Sequence, residues 1–154
     1  MKPRFYFDTS VFGGVYDDEF SVVTNKLFDM VRSGEIICVY SGLTETELEN
    51  APELVKDHFL NLPDNVKEFV EVTEEGFDLA TQYIEEKVVG QTSFDDCVHI
   101  ATATLNKVDF LVSWNFKHIV NVFRIRGYNA INVKNGYIQL DIRSPKEIVR
   151  DDDE

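Results

Sequence analysis

Four oxygen-bearing side chains recur where apolar runs give way to polar turns or helix starts: Asp8 in FDTSVF, Glu47 in SGLTETEL, Asp96 in FDDCVHIATA and Asn115 in DFLVSWNFKHI. Carboxylate and amide oxygens are hard donors suited to Mg²⁺ or Mn²⁺. Three carboxylates brought to one point would repel each other and raise at least one pKa, and a cation would resolve that repulsion. Such an ion could also lower the pKa of a bound water and stabilise charge developing on a phosphodiester. Each residue also has a plainer reading. Asp8 and Asn115 suit turns; Glu47 sits between Glu45 and Glu49 on what reads as a solvated acidic helix; Asp95 and Asp96 favour a helix N-terminus through its dipole. His99 shares a helix face with Asp96, but reads more readily as a hydrogen-bonded core or supporting histidine than as a ligand. His118 starts or faces the segment after Asn115, and Trp114 reads as packing. No Ser-His-Asp order, nucleophile elbow or G-x-x-x-x-G-K loop is present, which removes those hydrolase and nucleotide-binding readings.

The elements that must carry these residues alternate between strand and helix. RFYFD (4–8) reads as a buried strand, Gly13-Gly14 as a loose connection, and Phe20 to Gly34 as a helix. IICVY (36–40) is a second buried strand, followed by a short helix over 41–49 and another opened by Pro52. VKEFVEV (66–72) suggests a short or edge strand. Thr73 starts a helix expected to turn Phe77, Ala80, Tyr83, Ile84 and Val88 inward. Ser93 and Asp96 have the spacing of a capping box ahead of a small-residue helix. FLVS (110–113) is a strand, 117–126 a helix ended by Gly127, and AINV (130–133) a last strand. One helical turn is expected at 146–150. Alternation of this kind predicts right-handed crossovers and a three-layer α/β/α sandwich on a parallel sheet. The crevice of such a sheet lies beyond the carboxyl ends of its strands, where Asp8 and Asn115 fall.

The chain of 154 residues fits one domain over 1–150, with 151–154 an acidic disordered tail. A hydrophobic fraction of 44% and a charged fraction of 28% are globular values. Without a long apolar run or a signal-peptide pattern at the start, the sequence predicts a cytoplasmic protein with no membrane role. Cys38 and Cys97 read as buried thiols. A net charge of −13 argues against indiscriminate nucleic-acid binding. The charge is uneven, however: residues 1–106 carry 7 Lys and Arg against 21 Asp and Glu, and residues 107–150 carry 8 against 3. A phosphate track therefore has to draw on the C-terminal part: Lys117, Arg124 and Arg126, with Lys107 or Lys134 as extensions.

The four motifs, in this order and over 4–133, resemble the PIN-domain nuclease family, which includes the VapC-like ribonuclease toxins of bacterial toxin–antitoxin pairs. The resemblance implies about five parallel strands between helices and a Mg²⁺ or Mn²⁺ site for RNA cleavage. It puts the metal ligands on Asp8, Glu47, Asp96 and Asn115, with Asn115 standing where the family more often has an acid. Supporting roles fall on Thr9, Ser10 and Ser113, with Asp95 a substitute or supporting acid. An antitoxin-type partner and a homodimer are further implications. The alternative is a PIN-like binding module of little catalytic activity that acts through a protein partner. Phosphotransfer receivers and haloacid-type phosphatases fit less well, since the former want an acidic pair and the latter D-x-D where this chain has Asp8-Thr9-Ser10.

Overall fold

The computed structural model describes residues 1–150, and the tail at 151–154 lies outside them. Five strands form one sheet: β1 (Arg4–Phe7), β2 (Ile37–Ser41), β3 (Lys67–Val70), β4 (Phe110–Val112) and β5 (Ile142–Arg143). Their order is β3-β2-β1-β4-β5 and every pairing is parallel. Among the described residues there are also eight α-helices, α1 (Thr9–Gly14), α2 (Ser21–Arg32), α3 (Gly42–Glu49), α4 (Glu53–Leu60), α5 (Glu74–Glu85), α6 (Phe94–Leu105), α7 (Val122–Lys134) and α8 (Pro145–Ile148), and two 3-10 turns at Asp64–Val66 and Gln91–Ser93.

The short strands read as apolar on both faces because both are covered. Along β1, Phe5 and Phe7 point into one core with Val11, Leu27, Phe28, Val55 and Phe59 from α1, α2 and α4. Tyr6 points into the other, with Leu79, Tyr83, Ile100, Ala103, Tyr128 and Ile131 from α5, α6 and α7. The result is the three-layer α/β/α sandwich. Since β2 and β4 flank β1 on opposite sides, the connections out of β1 and into β4 diverge, and the carboxyl ends of β1 and β4 form the switch-point crevice.

Four local expectations are corrected. Thr9–Gly14 is a helix, where Gly13-Gly14 suggested a loose connection. AINV is not a strand: it lies in α7, which runs through Gly127, and the last strand is Ile142–Arg143. Asn121 caps α7 by accepting from the Phe123 and Arg124 amides, and Tyr128, Ile131 and Asn132 are buried at helical spacing. On α5, Phe77 is 46% exposed, and Leu79 with Ala80 and Tyr83 makes the buried face. Ser93 precedes α6 but its side chain forms no cap; a single 3-10 turn over Gln91–Ser93 leads the chain in instead. The helix turn expected after Pro145 is present as α8, and Cys38 and Cys97 are free and buried.

Candidate metal centre

Asp8 directly follows β1, and its amide donates to the Val112 carbonyl at 3.2 Å, locking it beside the end of β4. Its side chain makes no cap to α1. The carboxylate instead accepts from Ser10 Oγ at 2.5 Å and from Ser113 Oγ at 2.6 Å. Burial raises its pKa, the two hydroxyls act against that, and Glu47 pushes it further up. A carboxylate sunk in this place and served only by hydroxyls lacks a full counter-charge.

Glu47 reaches the crevice because α3 starts directly after β2. Ser41 begins α3 with its amide donating to Thr44 Oγ1 at 3.1 Å, completing a capping box. One turn later Glu47 Oε1 accepts from Thr9 Oγ1 at 2.8 Å and meets His99 Nε2 at 2.5 Å. Burial pushes the carboxyl up, but its interaction with His99 and the Thr9 hydrogen bond outweigh that and hold the pKa below its ordinary value. Glu47 is therefore not part of a merely solvated acidic face, whereas Glu45 and Glu49 beside it are exposed.

Asp96 comes from the first turn of α6, which crosses the same end of the sheet. Its pKa is raised to about 6, first by burial and then by the charge of Asp8, with Glu47 and Asp95 adding to it. Asp95 is exposed and acts on the site through that charge. Asn115 follows β4 and serves two partners. Its Oδ1 accepts from the His118 amide at 2.9 Å, closing a turn, and its Nδ2 donates to Asp96 Oδ2 at 3.3 Å. The turn-forming and site-facing readings of Asn115 thus coexist in one side chain. Trp114 is packing: it stacks on Phe20 at 4.0 Å between centroids and donates to Thr24 Oγ1 at 2.9 Å.

The donor set fits a hard divalent cation in kind and charge. Three carboxylates from three elements are electrostatically coupled: burial and Glu47 push Asp8 upward in pKa, and burial, Asp8 and Glu47 push Asp96 upward, which is the strain that a cation removes. Among the described residues no three His, Cys, Asp or Glu side chains are gathered closely enough to hold an ion as they stand. The fit is one of donor chemistry rather than of a preformed cage.

The basic residues divide. Lys117 and Arg124 line one groove together with Lys87, Asn121 and Phe123. Arg124 donates to the Val88 carbonyl there, and burial followed by the charges of Lys117 and Arg124 lowers the pKa of His118. Arg126 lines a different groove with Asp141 and Arg143. Lys107 lies in the turn that leads into β4, at the opposite end of the sheet from Asp8, and Lys134 is at the far end of α7, paired with Glu86 at 3.3 Å. Phe123 in the first groove is 80% exposed and Phe116 beside Asn115 is 47% exposed. Neither is among the residues that the sequence singles out.

Neither a family model nor a curated protein sequence matches the chain. Solved structures do. A chain of VapBC2 from Rickettsia felis, in a complex with a promoter DNA fragment, aligns with a TM-score of 0.57 at 12% identity, over 92% of this chain and 98% of that one. VapC20 of Mycobacterium tuberculosis, described as a Sarcin-Ricin loop cleaving toxin, aligns with a TM-score of 0.52 at 15% identity, over 89% and 98%. The chain has the PIN-like fold of VapC toxins. A toxin–antitoxin complex from Klebsiella pneumoniae also aligns, with a TM-score of 0.54 at 14% identity, over 73% of this chain and 87% of that one. In this PIN-like chain the four motif residues come from the C-terminal side of β1, from α3, from the start of α6 and from just past β4. The sequence put Asp8 and Asn115 at this crevice and read His99 as a hydrogen-bonded core or supporting histidine, as it is, but gave no sign that its partners are Glu47 and Tyr6. His99 Nδ1 meets Tyr6 Oη at 2.6 Å, and only the register of β1 against α6 brings those residues together.

Proposed function

We propose that this protein is a Mg²⁺- or Mn²⁺-dependent ribonuclease that hydrolyses RNA phosphodiester bonds, and that it serves as the toxin of a toxin–antitoxin pair. The observation that supports the reading is the electrostatic coupling of Asp8, Glu47 and Asp96, with Asn115 hydrogen-bonded to Asp96, at the carboxyl ends of the strands of a PIN-like fold. Asp8, Glu47 and Asp96 would hold the ion. When bound, it supplies Lewis acidity that activates water and offsets charge on the phosphate. Ser10 and Ser113 fix the Asp8 carboxylate, Thr9 fixes Glu47, and Asn115 orients Asp96 through its amide N–H. Lys117 and Arg124, with Lys87 alongside, supply cations for the phosphate backbone, and exposed Phe123 offers a face on which an unpaired base stacks. Arg126 sits outside this groove and is not needed for it.

The test uses purified protein and a single-stranded RNA. Cleavage should require Mn²⁺ or Mg²⁺ and fall by at least about 100-fold in Asp8→Asn and Asp96→Asn, a loss in keeping with removal of a group that stabilises transition-state charge. Undiminished cleavage by either variant sinks the mechanism. The second reading, a weakly catalytic module acting through a protein partner, is favoured by one observation: the Asn115 carbonyl oxygen, where the family more often has a carboxylate, is committed to the His118 amide. Absence of Mg²⁺ or Mn²⁺ binding in a calorimetric titration would favour it.

A further inference from the structure

Behind Glu47 a line of polar groups runs into a part of the core otherwise closed to water. Glu47 Oε1 meets His99 Nε2 at 2.5 Å, His99 Nδ1 meets Tyr6 Oη at 2.6 Å, and Tyr6 Oη meets Ser41 Oγ at 2.8 Å. Ser41 Oγ in turn accepts from the Thr44 amide in the capping box of α3. His99 is 2% exposed, and Tyr6 and Ser41 are fully buried.

The direction of the line follows from what each group can do. An ionised carboxylate only accepts, so His99 Nε2 carries the hydrogen that faces Glu47. A neutral imidazole then has an acceptor at Nδ1, and the Tyr6 hydroxyl donates to it. Tyr6 Oη accepts from the Ser41 hydroxyl, and Ser41 Oγ accepts from the Thr44 amide. Every donor meets an acceptor and no second charge enters the core, which buried ions would make costly. The reversed line would require an imidazolium with both ring nitrogens donating.

We infer that His99 is a positioning residue, held in its Nε2–H form by Tyr6, Ser41 and the start of α3, which presents Glu47 to the cation. Both polar contacts to Glu47 fall on Oε1, so Oε2 is the oxygen offered to the ion. The start of α3 thereby sets both the backbone carrying Glu47 and the hydrogen bond that aims it. Supporting residues of this kind, which fix the orientation of a ligand, change metal affinity by about 10–100-fold when removed.

The role in metal binding rests on the proposed metal site; the hydrogen-bond direction does not. The direction is read first, from the ¹⁵N resonances of His99 in metal-free protein. A single Nε2–H tautomer is expected near neutral pH, and an Nδ1–H or doubly protonated ring overturns the assignment. Mn²⁺ titration by calorimetry then reads the positioning. His99→Leu should weaken Mn²⁺ binding by about 10–100-fold. His99→Gln, whose amide N–H can reach the place of Nε2, should recover most of the affinity. Tyr6→Phe should keep the hydrogen on Nε2, which the Glu47 carboxylate demands, but leave Nδ1 without a donor and give an intermediate affinity. Unchanged Mn²⁺ affinity in folded His99→Leu, or equal losses in the Leu and Gln variants, overturns the positioning role. A wild-type protein that binds no Mn²⁺ overturns the metal reading and the positioning role with it, while the tautomer spectrum still decides the direction of the line.

Discussion

Two titrating side chains give this protein opposite responses to pH. The Asp96 carboxyl has a folded pKa of about 6 against an ordinary 3.8, because burial and the charge of Asp8 oppose its ionisation. The native state therefore holds this proton more tightly than the unfolded chain does, and the stability present below about pH 4 declines as pH rises through 6. Asp96→Asn should raise the melting temperature of metal-free protein at pH 8 by roughly 2–4 °C, the shift that about 1 kcal/mol produces at this length. At pH 4 the gain should vanish. His58 acts in the reverse sense. Its ring packs edge-on against Phe28 at 4.4 Å, and burial followed by the charge of Arg32 lowers its pKa from 6.5 to about 4. The unfolded chain takes up this proton more readily, so stability present above pH 6.5 is lost as pH falls toward 4. In His58→Leu the fall in melting temperature between pH 7 and pH 5 should be smaller than in the wild type; an equal fall would remove His58 as its cause.

At the scale of elements, two glycines do work that their neighbours in sequence conceal. A Cβ on Gly14 would lie 2.7 Å from Trp114 Nε1 and 2.8 Å from Thr24 Oγ1, inside the hydrogen bond that joins the crevice rim to α2. Gly14→Ala should cost about 2 kcal/mol, within the usual range for overpacking, as measured by denaturant melts. A Cβ on Gly127 would meet Val88 Cγ1 at 2.8 Å. Overpacking of about 1–3 kcal/mol is there partly offset by the ~1 kcal/mol that alanine gains in a helix. The Gly127→Ala variant should therefore lose about 1 kcal/mol, and adding Val88→Ala should recover most of it. In the sequence both glycines read as breaks, because glycine is a helix terminator by local propensity and a close-approach residue only through its partners. AINV misled for a related reason. A four-residue segment with two β-branched residues, Ile131 and Val133, is compatible with strand or helix, and the Tyr128, Ile131, Asn132 face of α7 is defined only by what covers it. The two-residue β5 is too short to show any period.

Across the whole molecule the charge is divided between an acidic body and a basic C-terminal part, but the fold does not keep the basic residues together. Lys117 and Arg124 share a groove with Lys87, whereas Arg126 and Arg143 line another. Each phosphate contact contributes about 0.7 to the salt slope of single-strand binding. Neutralising Lys117 and Arg124 together should therefore lower that slope by roughly 1.4, and Arg126→Ala should leave it unchanged, as followed by RNA binding over a salt series. Equal effects from the two sets would mean that RNA follows α7 rather than the Lys117–Arg124 groove. Among the described residues no helix is long and apolar enough to cross a membrane.

Local pattern in the sequence suffices for the layered fold and for setting Asp8 and Asn115 just beyond the strands that meet at one crevice. Alternating buried strands and amphipathic helices admit few connections, and the ends of β1 and β4 must meet at the point where those connections diverge. The family resemblance also pointed to Thr9, Ser10 and Ser113 as supporting hydroxyls, but only Ser10 contacts an acid close to it in the chain; Thr9 reaches Glu47 and Ser113 reaches Asp8 through the fold. Tertiary structure alone decided which readings of single residues held. Asp8 faces hydroxyls rather than capping α1, Asn115 both closes a turn and reaches Asp96, and the cations separate into two grooves. The line from Glu47 through His99 and Tyr6 to Ser41 joins residues 35 to 93 positions apart. Periodicity carries no trace of such contacts, because they depend on the register between a strand and a helix that only the packed core fixes.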